Sequence, residues 1–332
     1  MSNGKHNVYI PVNHISDTYK TLLPGQIPES KVIECFRNIF DTRTDIKWVL
    51  HNSKFDCSVL RTFFGFKFPD PYWDTLICSW LLNQTENHGL KALYNKYIAV
   101  EDEGVNKFDT LFGGLTFSYI PIDVATIYAG KDALMTYELF KYQQQVLEKP
   151  DMSGIKYILH NIEMPLIPIL EDMHRQGIEM NMNMLHELYM KYDAQLKEAE
   201  KQVYDELSKY QLEIDNYRRA HRDVKLDNPI LITSPSQLSI LFYNILHYKT
   251  KNGKGTGVAE LQEINTPLTQ ALLNYRKADK LINAFLVSLP KQRGEDGKIH
   301  TTLNQMGADT RKILKLPVLI YSKFHRVVMR KN

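Results

Sequence analysis

The chain has 332 residues, 43% hydrophobic and 24% charged, with a formal net charge of +3. That length supports two buried cores, and the composition excludes disordered and collagen-like classes. There is no run of eighteen apolar residues and no basic-then-apolar opening, a pattern that predicts a soluble intracellular protein.

Charge is informative only when divided along the chain. Residues 1–150 carry 15 basic and 17 acidic groups, residues 151–310 carry 19 and 21, and residues 311–332 carry seven basic groups and no acid. The positive balance therefore sits in one short tail, so net charge alone is a poor argument for nucleic-acid binding. The three cysteines, Cys35, Cys57 and Cys78, are widely spaced with no C-x-x-C pair, and they read as reduced core thiols.

The first half alternates apolar strands with helices, which is an α/β signature. Lys47 to Asn52 reads as a buried strand, Ser53 to Phe64 as the helix it feeds, and Gly65 as the stop of that helix. Helical pattern returns at Thr75 to Asn83 and at Gly89 to Tyr97, and a long helix runs from Ile122 to about Leu147. Glu148, Lys149 and Pro150 punctuate the chain and are expected to mark a domain boundary.

Beyond residue 150 the pattern is mostly helical. Leu185, Leu188, Tyr192, Leu196, Ala199, Val203 and Leu207 form one apolar stripe on a helix opened by Asn181 or Asn183, with an antiparallel partner expected. Ser234-Pro235-Ser236-Gln237 predicts a capping box, and Thr266-Pro267 repeats the device. The helix opened there shows Leu268, Leu272, Tyr275, Ile282, Phe285 and Leu289 on one side and Arg276, Lys277 and Lys280 towards the other. Lys298 to Leu303 alternates loosely like a strand. No internal repeat or low-complexity segment is visible.

Four acidic or phenolic positions stand out. Asp56, in His51-Asn52-Ser53-Lys54-Phe55-Asp56, stands just past the end of a strand, where α/β sheets place ligands. Tyr128 and Asp132 are spaced i, i+4 on the long helix, which puts a phenol and a carboxylate one turn apart on one face. Asp74 suits an N-cap before Thr75. Two-metal phosphodiester hydrolysis needs convergent carboxylates for hard cations and a group that orients the attacking water. Taken singly, Asp56 also reads as a surface carboxylate at a helix start, and Tyr128 as a core residue.

The ordered series HNSKFD, WDTLICSWLLN, HGLKALYNKY and YAGKDALMTYEL resembles the second and third motifs of DEDD-type 3′-to-5′ exonucleases of the tyrosine subclass. That group includes the proofreading domain of family A DNA polymerases and ribonuclease D. The segments EMPLIPILEDMHRQGIEMN, ITSPSQLSILFYNIL, LLNYRKADKLINAFL and GKIHTTLNQ look like the thumb and palm entry of family A polymerases. The resemblance runs from about residue 8 to about 310. It implies an α/β ribonuclease H-like exonuclease domain, first strand incomplete, over 1–149, a mostly α-helical thumb over 150–296, and a truncated start of the palm with a basic tail over 297–332.

The resemblance also implies roles. Asp56 and Asp132 would bind Mg²⁺, Tyr128 would position the attacking water, and Asn52 and Phe55 would flank the frayed primer end. Arg276, Lys277 and Lys280 would touch phosphates of a primer–template duplex, although they also fit a solvated helix face. The family's opening Asp-x-Glu strand has no counterpart before Asp56, which implies an incomplete two-metal site and little nuclease activity for this chain alone. The fingers and palm residues of polymerisation are likewise absent. Where the family reads roughly Thr-Gly-Arg/Lys-Phe-Ser-Ser, the chain reads Thr310-Arg311-Lys312-Ile313-Leu314-Lys315. Plausible codons for residues 311–315 spell Gly-Lys-Phe-Ser-Ser when read one base later, which points to a one-base insertion near codon 310.

The expected function is that of a family A DNA polymerase fragment of phage or bacterial kind, cytoplasmic, binding primer–template DNA and inactive alone. Two alternatives stand beside it. One is a ribonuclease D-like exoribonuclease; the other is a non-catalytic DNA-binding or split-polymerase subunit completed by a separate palm-and-fingers chain.

Overall fold

The structure, a computed structural model, describes the chain except residues 17, 19, 100–111, 252 and 307–332, so the expected basic tail and frame change lie outside the described residues. The chain divides into two compact units, Met1–Gln176 joined by the segment from Thr301, and Gly177–His300. No helix among the described residues is long and apolar enough to cross a membrane.

In the first unit the chain-order elements are α1 (Glu29–Thr42), β1 (Val49–Leu50), α2 (Ser53–Phe64), β2 (Trp73–Asp74), α3 (Thr75–Leu82), α4 (Leu90–Tyr97) and α5 (Ile122–Leu147). Strands β1 and β2 are parallel, with Val49 opposite Trp73 and Leu50 opposite Asp74. The unit is therefore α/β, as expected, but its ladder is shorter than the predicted strand from Lys47 to Asn52. Pairing stops after Leu50 because Asn52 takes a left-handed conformation, φ 68°, and gives its N–H to the Asp74 side chain. Gly65 ends α2 as predicted, at φ 73°.

The two compact units divide after Gln176, and the segment past residues 148–150 packs with the first. A short turn leads into α6 (Ser153–Ile158), a wider π segment (Leu159–Glu163) and α7 (Met164–Gln176). Leu159, Met164 and Ile167 join Trp73, Ile77 and Phe140 in one core, so this run belongs to the first unit by burial. The Gln305 side-chain amide donates to the Glu163 carbonyl and carboxylate, at 3.1 Å each, and draws the chain after residue 300 to the same unit. The predicted strand from Lys298 is correspondingly short.

The second unit contains β3 (Ile178–Glu179), α8 (Met182–Ser208), α9 (Gln211–Ala220), α10 (Pro235–Ser239), α11 (Val258–Ile264), α12 (Pro267–Leu281) and β4 (Lys298–Ile299). Strands β3 and β4 pair antiparallel. Asn181 caps α8 by accepting from the Met184 N–H at 3.0 Å. Val203 and Leu207 of the predicted stripe are buried with Leu268, Leu272 and Tyr275 of α12. Past Leu281 the helix widens into a π segment (Ile282–Val287), where Ile282 is buried as the stripe predicts and Leu286 is buried in place of Phe285.

Two expectations are corrected. Of the three thiols only Cys78 is a core residue; Cys57 is half-buried and Cys35 exposed, because α1 turns that position to solvent. Thr266 forms a capping box with Thr269, but Gln237 does not complete one with Ser234. Its side chain instead accepts from the N–H groups of Asp227 and Leu231 at 3.3 and 3.0 Å and donates to Asp227 Oδ2 at 2.7 Å, fastening the loop before α10. Gln237→Ala should therefore cost about 1 kcal/mol in chemical denaturation, since it removes the three hydrogen bonds that fasten the loop. A loss of a few tenths, typical of an exposed helix start, would show that the loop does not depend on it.

Candidate functional site

The expected carboxylates of the first unit are placed by a third one that is buried. Asp74 is 1% exposed and ends β2. It caps α3 as predicted, Oδ1 accepting from the N–H groups of Leu76 and Ile77 at 2.9 and 3.3 Å. It also reaches across to the end of β1. Oδ1 accepts from the Asn52 N–H at 3.1 Å, and Oδ2 from the Ser53 N–H at 2.7 Å and hydroxyl at 2.6 Å. One carboxylate thus fastens the start of α2 to the start of α3. The Thr75 hydroxyl donates to the Leu50 carbonyl at 3.3 Å, which leaves His51 Nδ1, 2.8 Å away, as a donor to the same hydroxyl.

The long helix is registered against this junction by Gln143. Its Oε1 accepts from the Trp73 indole N–H at 2.9 Å, and its Nε2 donates to the Thr75 carbonyl at 2.8 Å. Tyr128 and Asp132 ride on the same helix, α5. Asp56 and Asp132 both line one open cavity of about 1370 Å³.

Burial sets the electrostatics. Asp56 is pushed up to about 7, first by desolvation and then by the charge of Asp74. Asp132 is raised by burial, against the opposing pull of Lys91 and Lys131. Neither carboxylate figures in the other's shift. Asp132 Oδ1 is buried with no hydrogen-bond partner, and the Lys91 ammonium lies 3.8 Å from it. Lys91, which sequence reasoning missed, donates to the Tyr128 hydroxyl at 2.6 Å and sits 4.1 Å from its ring centre. The only sequence signal for it was its place at the start of HGLKALYNKY, on α4.

The other expected residues take different positions. Asn52 is exposed at the left-handed turn, and Phe55, 62% exposed, projects from the first turn of α2. In the second unit, Lys277 and Lys280 are exposed on α12. Arg276 is half-buried, its guanidinium donates to the Thr256 carbonyl, and desolvation lowers its pKa.

The donor chemistry of Asp56 and Asp132 suits a hard divalent cation, and an orphaned buried carboxylate oxygen is a place where one would be held. Among the described residues, however, no three His, Cys, Asp or Glu side chains gather as a metal-binding group. The fit is that of part of a ligand set.

Two family models match in chain order. Residues 2–148 match a 3′–5′ exonuclease, and residues 183–316 match DNA polymerase family A. The chain is 28% identical over 321 residues to DNA polymerase I of Chloroflexus aurantiacus, covering 92% of this chain and 31% of that protein. It is 25% identical over 290 residues to DNA polymerase I of Treponema pallidum, covering 85% of this chain and 27% of that one. A solved structure, the POL domain of Pol1 from M. smegmatis in complex with DNA primer-template and dNTP, matches with a TM-score of 0.62 at 22% identity, over 87% of this chain and 43% of the other, which is a likeness of fold. An exonuclease domain followed by a mostly helical polymerase segment defines the class. The chain carries a match to a 3′–5′ exonuclease followed by a match to DNA polymerase family A, is similar to DNA polymerase I proteins over most of its length, and spans about a third of the length of the curated relatives it matches. The ribonuclease D-like alternative is not favoured, because the second half matches the polymerase family.

The raised Asp56 predicts a pH signature. A carboxyl whose folded pKa exceeds its unfolded one contributes stability that is fully present below the unfolded value and is lost as pH climbs through the folded one. The window here runs from 3.8 to about 7. Asp56→Asn should be more stable than the parent at pH 8 and indistinguishable from it near pH 4, as thermal unfolding at the two pH values would show.

Proposed function

We propose that the chain is the editing and duplex-gripping part of a family A DNA polymerase, with primer–template DNA as its partner and a cytoplasmic bacterial setting. The observation that carries the reading is the placement of Asp56 and Asp132 on the wall of one cavity, with Tyr128 one turn from Asp132, inside a match to 3′–5′ exonucleases. On this reading the first unit follows the ribonuclease H-like plan.

Asp56 and Asp132 would hold Mg²⁺, whose chemistry is to stabilise charge on the attacking and leaving oxygens of a phosphodiester. Their raised pKa values fit groups that ionise fully only beside positive charge. Tyr128 would orient the attacking water. Its hydroxyl accepts from Lys91, so its own proton is left to point elsewhere. Phe55 offers an exposed ring on which an unpaired terminal base can stack, beside Asn52 at the turn. Lys277 and Lys280 would meet backbone phosphates, which positions a duplex without reading its sequence. Arg276 would join them from the same helix, its guanidinium also donating to the Thr256 carbonyl. With these two carboxylates as only part of a ligand set among the described residues, nuclease activity of this chain is expected to be low.

The test is Mg²⁺-dependent digestion of a 5′-labelled primer with a frayed 3′ end, run beside duplex binding at several salt concentrations. We expect no digestion, binding that weakens as salt rises, and a log–log salt slope that falls by about one for each of Lys277→Ala and Lys280→Ala. Digestion that disappears in both Asp56→Ala and Asp132→Ala would show that the metal site is complete. Absence of duplex binding would refute the gripping role.

A further inference from the structure

Lys91 stands between two of the groups that the candidate site brings together. It lies in the first turn of α4, and that helix is fixed on α5 by the Tyr94 hydroxyl, which donates to Glu138 Oε2 at 2.7 Å, and by the buried side chain of Leu93. The root of the lysine is therefore held, while its flexible four-carbon stem lets the ammonium take more than one position. In the structure the ammonium donates to the Tyr128 hydroxyl at 2.6 Å and lies 3.8 Å from Asp132 Oδ1. The Lys91 side chain is only 17% exposed, so salt and solvent screen its charge weakly.

The Tyr128 ring has packing of its own. Phe112 meets it edge-on with ring centres 5.9 Å apart, and Phe117 lies tilted against it at 6.3 Å. Lys91 therefore governs the hydrogen bonding of the phenol rather than the place of its ring. A divalent cation held by Asp132 would bring like charges within a few ångströms of the ammonium, and in a weakly screened setting that repulsion is enough to move a side chain with other rotamers open to it.

We propose that Lys91 couples cation binding at Asp132 to the state of Tyr128: its ammonium is the counter-charge of Asp132 until a divalent cation takes that place, and it then withdraws from the phenol, whose oxygen is released to hydrogen-bond water. The inference rests on the reading of Asp56 and Asp132 as cation ligands and adds the residue that links them to the phenol. Lys91 is a positioning residue here, since it acts through Tyr128 and Asp132. The charge of Lys131 also bears on Asp132, which makes Lys131 the control for charge alone.

The experiment uses the full chain. Free Mn²⁺ is followed by electron paramagnetic resonance, and Tyr128 by fluorine NMR of fluorotyrosine-labelled protein titrated with Mg²⁺, its signal being the one lost in Tyr128→Phe. Lys91→Met, which keeps the length of the stem without its charge, should bind Mn²⁺ about fivefold or more tighter than the parent, and Lys91→Arg should stay within about twofold of it. Saturating Mg²⁺ should move the Tyr128 signal of the parent, and in Lys91→Met that signal should already sit near the Mg²⁺-loaded position. Lys131→Met should leave the Tyr128 signal and its response to Mg²⁺ as in the parent. A purely structural role for Lys91 would leave cation binding in Lys91→Met unchanged or weaker, and either result overturns the proposal. So does a Tyr128 signal that responds to Mg²⁺ equally in the parent and in Lys91→Met. Should Lys91→Met fail to fold, a parent signal that ignores saturating Mg²⁺ still overturns it. If Asp132→Asn binds Mn²⁺ as the parent does, or if neither the parent nor Lys91→Met binds below about 10 mM, the cation-ligand reading itself falls, and the coupling with it.

Discussion

The Asp74 carboxylate is the constraint on which the first unit depends. It is buried, and it is satisfied only because donors from two segments converge on it, Asn52 and Ser53 after β1, Leu76 and Ile77 at the start of α3. Hydrogen bonds to a charged group are worth about 1.5–3 kcal/mol each, and a buried carboxylate without them costs more than they return. The two segments therefore cannot part without stranding a charge. Much follows from that one junction: the left-handed turn at Asn52, the outward throw of Phe55, and the setting of Asp56 on the cavity wall. Gln143 extends the same fixation to α5, and through it to Tyr128 and Asp132.

The candidate centre gains its character from what burial does to charge. Asp56 and Asp132 are held where ionisation is disfavoured, and at Asp132 the charges of Lys91 and Lys131 oppose that burial. The Asp132 oxygen without a hydrogen bond lies 3.8 Å from the Lys91 ammonium. Duplex gripping, by contrast, asks little of the whole chain. Apart from the tail the sequence is slightly acidic, so any contact with phosphates must come from local lysines such as Lys277 and Lys280.

Much of this was legible in the sequence. Periodicity and caps located α2, α3, α5 and α8, because apolar spacing and short polar cap residues act over three or four positions. Asp74 was legible as a cap for the same reason. Its second role was not, since Asn52 and Ser53 lie some twenty positions away and only the fold brings them near. Gln237 shows the opposite error: local pattern assigned it a capping box, and a loop ten positions away claimed its side chain. Lys91 and the cavity were invisible, one because lysine on a helix is ordinarily solvated, the other because an empty volume has no residue to announce it.

The measurement that tests the central role of Asp74 most directly is amide hydrogen exchange on Asp74→Asn, which keeps the size of the side chain but removes its charge and one acceptor. Exchange at residues 52–56 and 76–78 should accelerate by about a hundredfold or more, equivalent to the loss of roughly 3 kcal/mol, while residues 182–281 of the second unit stay unchanged. Unchanged exchange at 52–56 would contradict the account, because the junction would then be held by something other than this carboxylate.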